Sequence, residues 1–254
     1  MFNLQHVLYM VISFILTAGL LVVFALKVKD QKKKNLILVL SSVITVALHY
    51  SNIWVEYFAN GGNYTVESNH ILPVYPCNVV MWMLLAASLI KNKKCFSFRL
   101  LADFCFYGGI ICGVVGIVFN ANFDSNPTLT DYVVLKGLLS HSTMLFGCIY
   151  LFVGKYVKLE VSNVLGILAG GLTFVACGLI VDGLYTAFGM TPIDGMFLKS
   201  NPYFPVSPMV LSIPVILLIF GALALYELRL PKEQRWYFKL KKFFNKNKGT
   251  KEKV

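Results

Sequence analysis

The chain has 254 residues, 57% of them hydrophobic and only 14% charged, with a mean hydropathy of +0.69 and a formal charge of +11. This composition lies far from the usual soluble mix and excludes an ordinary water-exposed domain. A basic chain also raises nucleic-acid binding, but no folded basic module is present to perform it, so no nucleic-acid partner is expected.

Taken in order, the chain alternates apolar runs with short polar loops. A membrane-crossing helix needs about 20 residues. Seven runs meet that length approximately, at 7–26, 36–58, 71–90, 100–119, 133–157, 161–187 and 205–226. The expected fold is all-α, a polytopic membrane helical bundle over 1–231 followed by a basic aromatic tail over 232–254. The first run is too long for a signal-peptide core and has no basic stretch before it or small-residue cleavage site after it, so it is expected to remain as a span.

Lysine and arginine collect in alternate loops: Lys27, Lys29, Lys32, Lys33 and Lys34 in the first, Lys91, Lys93, Lys94 and Arg99 in the third, Lys155 and Lys158 in the fifth, and then the tail. The intervening loops carry Glu56, Glu67, Asp124, Asp131 and Asp194, with Lys199 the exception. Positive loops stay in the cytoplasm, which places the amino terminus outside and the carboxyl terminus inside. The expected location is a multi-pass integral membrane protein, in the cytoplasmic membrane if the chain is bacterial. The tail segment from Arg235 to Phe244 interleaves cations with aromatic rings, a pattern suited to lying on an anionic inner leaflet. The sequon Asn63-Tyr64-Thr65 falls in an outward loop.

Ionisable and polar groups inside spans are costly and mark functional candidates. His49, Asn52 and Glu56 are three and four residues apart on one helix face of the second span. The third span opens with Ile71-Leu72-Pro73-Val74-Tyr75-Pro76-Cys77-Asn78, which puts the thiol and carboxamide about five residues in, or roughly 8 Å. Lys136 stands near the mouth of the fifth span and His141 about 12 Å inside it, while Asp182 lies near the outer end of the sixth. All of these occupy the outer half of the bundle. The inner half shows only Asp103.

A cysteine in a membrane helix is by default a small apolar packing residue. One set near a helix start beside an imidazole can instead act as a thiolate nucleophile on an ester carbonyl. On that reading Cys77 attacks, His141 is the base, and Asp182, Glu56 or Asn78 orients it. The other five cysteines, Cys95, Cys105, Cys112, Cys148 and Cys177, form no CxxC or zinc-spaced pattern, so neither a metal nor any other cofactor is expected. No GxSxG, HExxH or phosphate-cradling loop is present, and no motif makes Ser140 or Ser142 a nucleophile. The same layer also suits a small-solute or ion transporter with an outward vestibule of His49, Glu56, His141 and Asp182. Haem ligation by His49 and His141 is a third possibility.

The opening Leu72-Pro73-Val74-Tyr75-Pro76-Cys77, the later Leu138-Leu139-Ser140-His141-Ser142-Thr143-Met144-Leu145, and the segment Asp194-Gly195-Met196-Phe197-Leu198-Lys199-Ser200-Asn201-Pro202 resemble the YwaF-like integral membrane family. Its eukaryotic branch is transmembrane protein 164. The resemblance implies a cysteine-dependent acyltransferase that moves a fatty acyl chain from a phospholipid onto a lysophospholipid, with Cys77 matching the family nucleophile and His141 its histidine. Asn78 stands where the eukaryotic branch has histidine, and Asp194-Gly195 replaces an Asn-Tyr pair. The oligomeric state stays open.

Overall fold

A computed structural model describes residues 2–59, 61–62, 72–190, 194–199 and 206–238. Among them every regular element is helical, with no strand. In order it forms α1 (Leu4–Lys27), α2 (Gln31–Ala59), α3 (Pro76–Leu89), α4 (Phe96–Val118), the short α5 (Ala121–Ser125), α6 (Tyr132–Val153), α7 (Asn163–Ala187) and α8 (Pro208–Leu228). Single 3-10 turns follow at Gly195–Phe197 and Lys232–Gln234. The sequon at 63–65, Glu67, Ile71, the 200–202 part of the third motif and the tail beyond 238 lie outside the described residues.

Among the described residues six helices are long and apolar enough to cross a membrane. Of the seven expected spans the exception is α3. Its 14 residues span about 21 Å against a hydrocarbon core of about 30 Å. The reason lies in its first residues. Pro76 occupies the first helical turn, where its missing N–H costs nothing, and Tyr75 before it is extended at φ −110°, ψ 152°. The helix therefore starts later than the apolar run does. Cys77 is its second residue, in the opening turn rather than five residues down.

The other starts are also written in the sequence. The Asn3 side chain accepts from the His6 N–H to cap α1, and Asp131 accepts from the Val133 and Val134 N–H groups to cap α6. Such caps are worth about 1 kcal/mol each.

The bundle is built around α6, which packs against α1, α2, α3 and α4; α7 packs on α4, and α8 touches mainly α7. Contact between α4 and α6 rests on a stripe of glycines. A Cβ at Gly109 would meet Cys148, one at Gly113 would meet Leu145, and one at Gly116 would meet His141, all under 3 Å. Small residues at such a spacing let membrane helices approach closely, where the apolar effect supplies no drive. The outward surface is apolar, with Leu172 and Leu218 more than two-thirds exposed. In water that surface would be a liability, whereas in lipid it is solvated.

Contacts between loops fix the two ends of the bundle. Gln31 reaches Tyr156, Arg99 approaches Glu160 at 3.8 Å, and the Val161 N–H donates to Glu227. The loops rich in lysine thus share one end, called the basic end below. At the opposite end Asn3 Nδ2 donates to the Pro127 carbonyl and the Met196 N–H to the Val74 carbonyl. Asp103 is not the sole polar group toward the basic end: Glu227 and Asn163 are buried there too. Sequence position hid Glu227, because it sits at the end of the last apolar run and reads as a boundary residue.

Candidate functional site

Near the opposite end, between α2, α3 and α6, lies a cavity of about 20 Å³. That is room for about one water molecule. His49, Cys77, Asn78 and His141 line it with Thr45 and Ser140, and Met81 and Met144 close it on the deeper side. Each arrives by helical register. Thr45 and His49 are one turn apart on α2, Cys77 and Met81 one turn apart on α3, and Ser140, His141 and Met144 share a face of α6.

The imidazole of His141 is held in one tautomer. Its Nδ1 lies 2.8 Å from the carbonyl oxygen of Gly137, one turn earlier. A carbonyl only accepts, so Nδ1 carries the hydrogen and Nε2 of the neutral ring keeps its lone pair. Ser140 donates to the same carbonyl at 2.8 Å. The ring edge bearing Nε2 lies against Gly116, where a Cβ would stand 2.3 Å from that nitrogen. Neither the Gly137 carbonyl nor Gly116 is marked by residue chemistry. The available signal was the spacing of Gly109, Gly113 and Gly116.

Cys77 is half-buried, and its Sγ lies 3.4 Å from Asn78 Oδ1. The Asn78 amide nitrogen lies 3.4 Å from His49 Nε2. A carboxamide thus stands between the thiol and a second imidazole. Lys136 is buried as well, and its ammonium donates to the His49 carbonyl at 3.3 Å.

The remaining expected residues lie outside this cavity. Asn52, one turn beyond His49, donates to the Glu56 carboxylate. Asp182 accepts from the Gly195 N–H at 2.9 Å and from the Lys199 ammonium at 2.6 Å, and Asp194 accepts from the Lys199 N–H at 3.0 Å. The Asp182 carboxylate holds the exposed Lys199 ammonium above the usual lysine range, with Asp194 adding to the effect. These bonds shape a turn in which Met196 (φ 58°) and Phe197 (φ 53°) are both left-handed, a strained pairing for residues with side chains. The turn grips the start of α3: the Met196 N–H donates to the Val74 carbonyl at 2.7 Å, and the Phe197 ring stacks on Tyr75 at 5.4 Å. Asp182 and Asp194 therefore support the segment leading into Cys77.

Ser142 faces away from the cavity and shares hydrogen bonds of 2.8 Å with Tyr9 and Ser13 of α1. His6, which drew no attention in the sequence, is fully buried with Nε2 2.8 Å from the Ile117 carbonyl and its ring stacked on Phe123. It joins α1 to α4. All six cysteines are free thiols, and no group of three or more metal-ligating side chains occurs among the described residues.

The conjunction of a helix-start cysteine after two prolines, a histidine on α6 and a 194–199 turn gripping that same helix start covers all three motifs of the resemblance. A family model agrees: the TMEM164 family matches residues 1–228. The chain belongs to the TMEM164 family. It is accordingly an integral, multi-pass membrane protein. No curated protein and no solved structure matches it. In this TMEM164-family protein the three motifs converge on the N-terminal turn of α3.

Proposed function

We propose that this protein is a membrane acyltransferase, or acyl hydrolase, working through a thioester on Cys77 with His141 as proton carrier. The observation that carries the reading is the single cavity shared by the thiol and an imidazole whose Nδ1 is already committed to the Gly137 carbonyl. Nε2 is then the basic nitrogen. It takes the thiol proton, and sulfur attacks the carbonyl carbon of a lipid ester. As the tetrahedral adduct collapses, the carbon–oxygen bond breaks and His141 returns the proton to the departing alcohol. A second alcohol, or water, gives its proton to His141 and attacks the thioester; the carbon–sulfur bond then breaks and His141 returns the proton to sulfur, restoring the thiol. The positive end of α3 lies beside the developing charge.

A cavity the size of one water accommodates the reacting carbonyl and not a whole lipid, whose chains would stay in the membrane. Phospholipid as donor and lysophospholipid as acceptor follow from the family resemblance. The basic loops fit an orientation with the amino terminus outside, the site in the outer half and the tail from Arg235 on the anionic inner leaflet. A transporter vestibule gains no such support, because Glu56 and Asp182 are bonded elsewhere and only His49 and His141 share the cavity.

The test is transfer of a labelled acyl chain from phospholipid to lysophospholipid, or to water, by purified protein in mixed micelles. Wild type forms labelled product, and Cys77→Ala falls to background. Full activity in Cys77→Ala would end the proposal.

A further inference from the structure

The helix that meets His141 at Gly116, α4, also carries a second thiol at the level of Cys77. Val80 of α3 lies against Gly109 of α4, where a Cβ would stand 3.1 Å from a Val80 methyl. The two helices are antiparallel, α3 running toward the basic end and α4 away from it. Three residues toward the opposite end therefore lead from Val80 to Cys77 on α3 and from Gly109 to Cys112 on α4. Residues three apart share a helix face, so both cysteines stay on the sides that Val80 and Gly109 bring together. Packed helices lie about 8–10 Å apart with Cα atoms about 2.3 Å from each axis, so facing residues come within about 6 Å. A disulfide needs Cα atoms about 4.4–6.8 Å apart. Both thiols pack against one core cluster, and charge on Cys77 acts on the thiol of Cys112. The other cysteines are set apart: Cys105 and Cys148 are fully buried, Cys95 caps α4 at the basic end and Cys177 belongs to α7.

We propose that Cys77 and Cys112 form a redox pair, in which hydrogen peroxide oxidises Cys77 and Cys112 resolves it to a disulfide joining α3 and α4. The inference rests on the reading of Cys77 as the reactive thiol and gives that site a second, reversible chemistry. His141 takes the Cys77 proton, and sulfur attacks one peroxide oxygen. The O–O bond breaks, the departing oxygen leaves as water with the proton from His141, and Cys77 becomes a sulfenic acid. Sulfur of Cys112 then attacks the sulfenic sulfur; the S–O bond breaks, and the hydroxyl leaves with the Cys112 proton as a second water. Two thiols lose two electrons between them, and one hydrogen peroxide is reduced to two waters. The oxidant is only one oxygen atom larger than the water for which the cavity has room. Both cysteines are half-buried, whereas a fully enclosed thiol is slow to oxidise. The disulfide withdraws the nucleophile and protects it from the irreversible sulfinic state, and a dithiol restores it by exchange.

The test needs no lipid ester. Reduced full-length protein in detergent is exposed to a slight molar excess of hydrogen peroxide, quenched with N-ethylmaleimide and digested without reductant. Mass spectrometry then reads which cysteine peptides are linked. In wild type the Cys77 peptide is expected on the Cys112 peptide, in about tenfold excess over Cys77 joined to any other cysteine, and dithiothreitol separates them. In Cys112→Ser the oxidation stops at the sulfenic acid, and dimedone labels Cys77 about tenfold more than in wild type. Cys177→Ser, which alters a thiol on α7, leaves the Cys77–Cys112 link unchanged. The wild-type arm decides by itself, so a variant that fails to fold does not rescue the inference. No Cys77–Cys112 link at any peroxide concentration would overturn it, as would a link from Cys77 mainly to another cysteine or equal dimedone labelling in wild type and Cys112→Ser. Loss of acyl transfer as the link forms, regained with dithiothreitol, is expected where both readings hold. A link in protein that transfers no acyl chain even when reduced would instead remove the proposed function and leave the redox pair standing.

Discussion

The two ends of the bundle bury polar groups for different purposes. At the basic end the Glu227 carboxylate accepts from the Val161 and Trp236 N–H groups, each at 2.8 Å. Asn163 bonds Asp103, Tyr107 and the Glu160 N–H. Beside Glu227 lies a cavity of about 250 Å³, walled by Phe220, Leu228 and Trp236. At the opposite end the cavity is about 20 Å³ but meets a thiol and two imidazoles. Size alone does not single out the cavity that holds the thiol. Glu227 joins α8 and the tail to the loop before α7, and its buried charge is spent on backbone donors. Around Cys77 the polar side chains of α2, α3 and α6 meet one another instead.

The sharpest way to break this contrast is to remove one group at each end. His141→Gln is expected to lower acyl transfer by about 10²–10⁴-fold, the usual share of a general base, with little change in thermal unfolding. Glu227→Gln is expected to leave transfer unchanged while costing about 1–3 kcal/mol in stability, because one backbone donor loses a charged acceptor. Equal activity losses in the two variants would dissolve the distinction.

A second test works through packing. Gly116→Ala pushes a methyl group to within 2.3 Å of His141 Nε2, whereas a Cβ at Gly171 meets nothing within 4 Å. The first substitution should reduce transfer by about 100-fold through displacement of the ring. The second should leave transfer alone and gain up to about 1 kcal/mol from helix propensity. Both are read by steady-state rates beside a thermal melt.

The smallest effect is expected at the turn that grips α3. Asp182→Asn removes the partner of Lys199 and weakens the hold on Gly195, and is expected to reduce transfer about tenfold, as for a misplaced nucleophile. The sign of its pH dependence follows from Lys199. A lysine whose folded value is raised keeps its ion pair below the ordinary value of about 10.4 and loses it only as pH rises past the folded one. The ratio of variant to wild-type rate should therefore be flat across neutral pH.

Much of the architecture was legible because the membrane imposes it. Length and hydropathy gave the helices, and alternating lysine-rich loops gave their common end. The span carrying Cys77 was drawn too long, since hydropathy does not register that Pro76 and extended Tyr75 delay the helix. Cys77 and His141 were singled out by topology and resemblance together, and they do share a cavity. The orienting partner of His141 was sought among Asp182, Glu56 and Asn78 and is the Gly137 carbonyl, a backbone group that no side-chain pattern announces. Asp182 stood out as an intramembrane charge, but its partners Gly195 and Lys199 lie 13 and 17 residues further along the chain, in the 194–199 turn. Gly116 has a readable signal in its spacing with Gly109 and Gly113, which sets three small residues on the face of α4 that meets α6.

The central claim is that sulfur of Cys77 carries the acyl group between donor and acceptor. Intact-mass and peptide analysis of protein quenched in acid after exposure to phospholipid tests it directly. The account predicts one acyl chain added to the peptide containing Cys77, removed by neutral hydroxylamine and absent in Cys77→Ala. Product formation without any hydroxylamine-sensitive acyl group on that peptide, under conditions where deacylation is starved of acceptor, would contradict it.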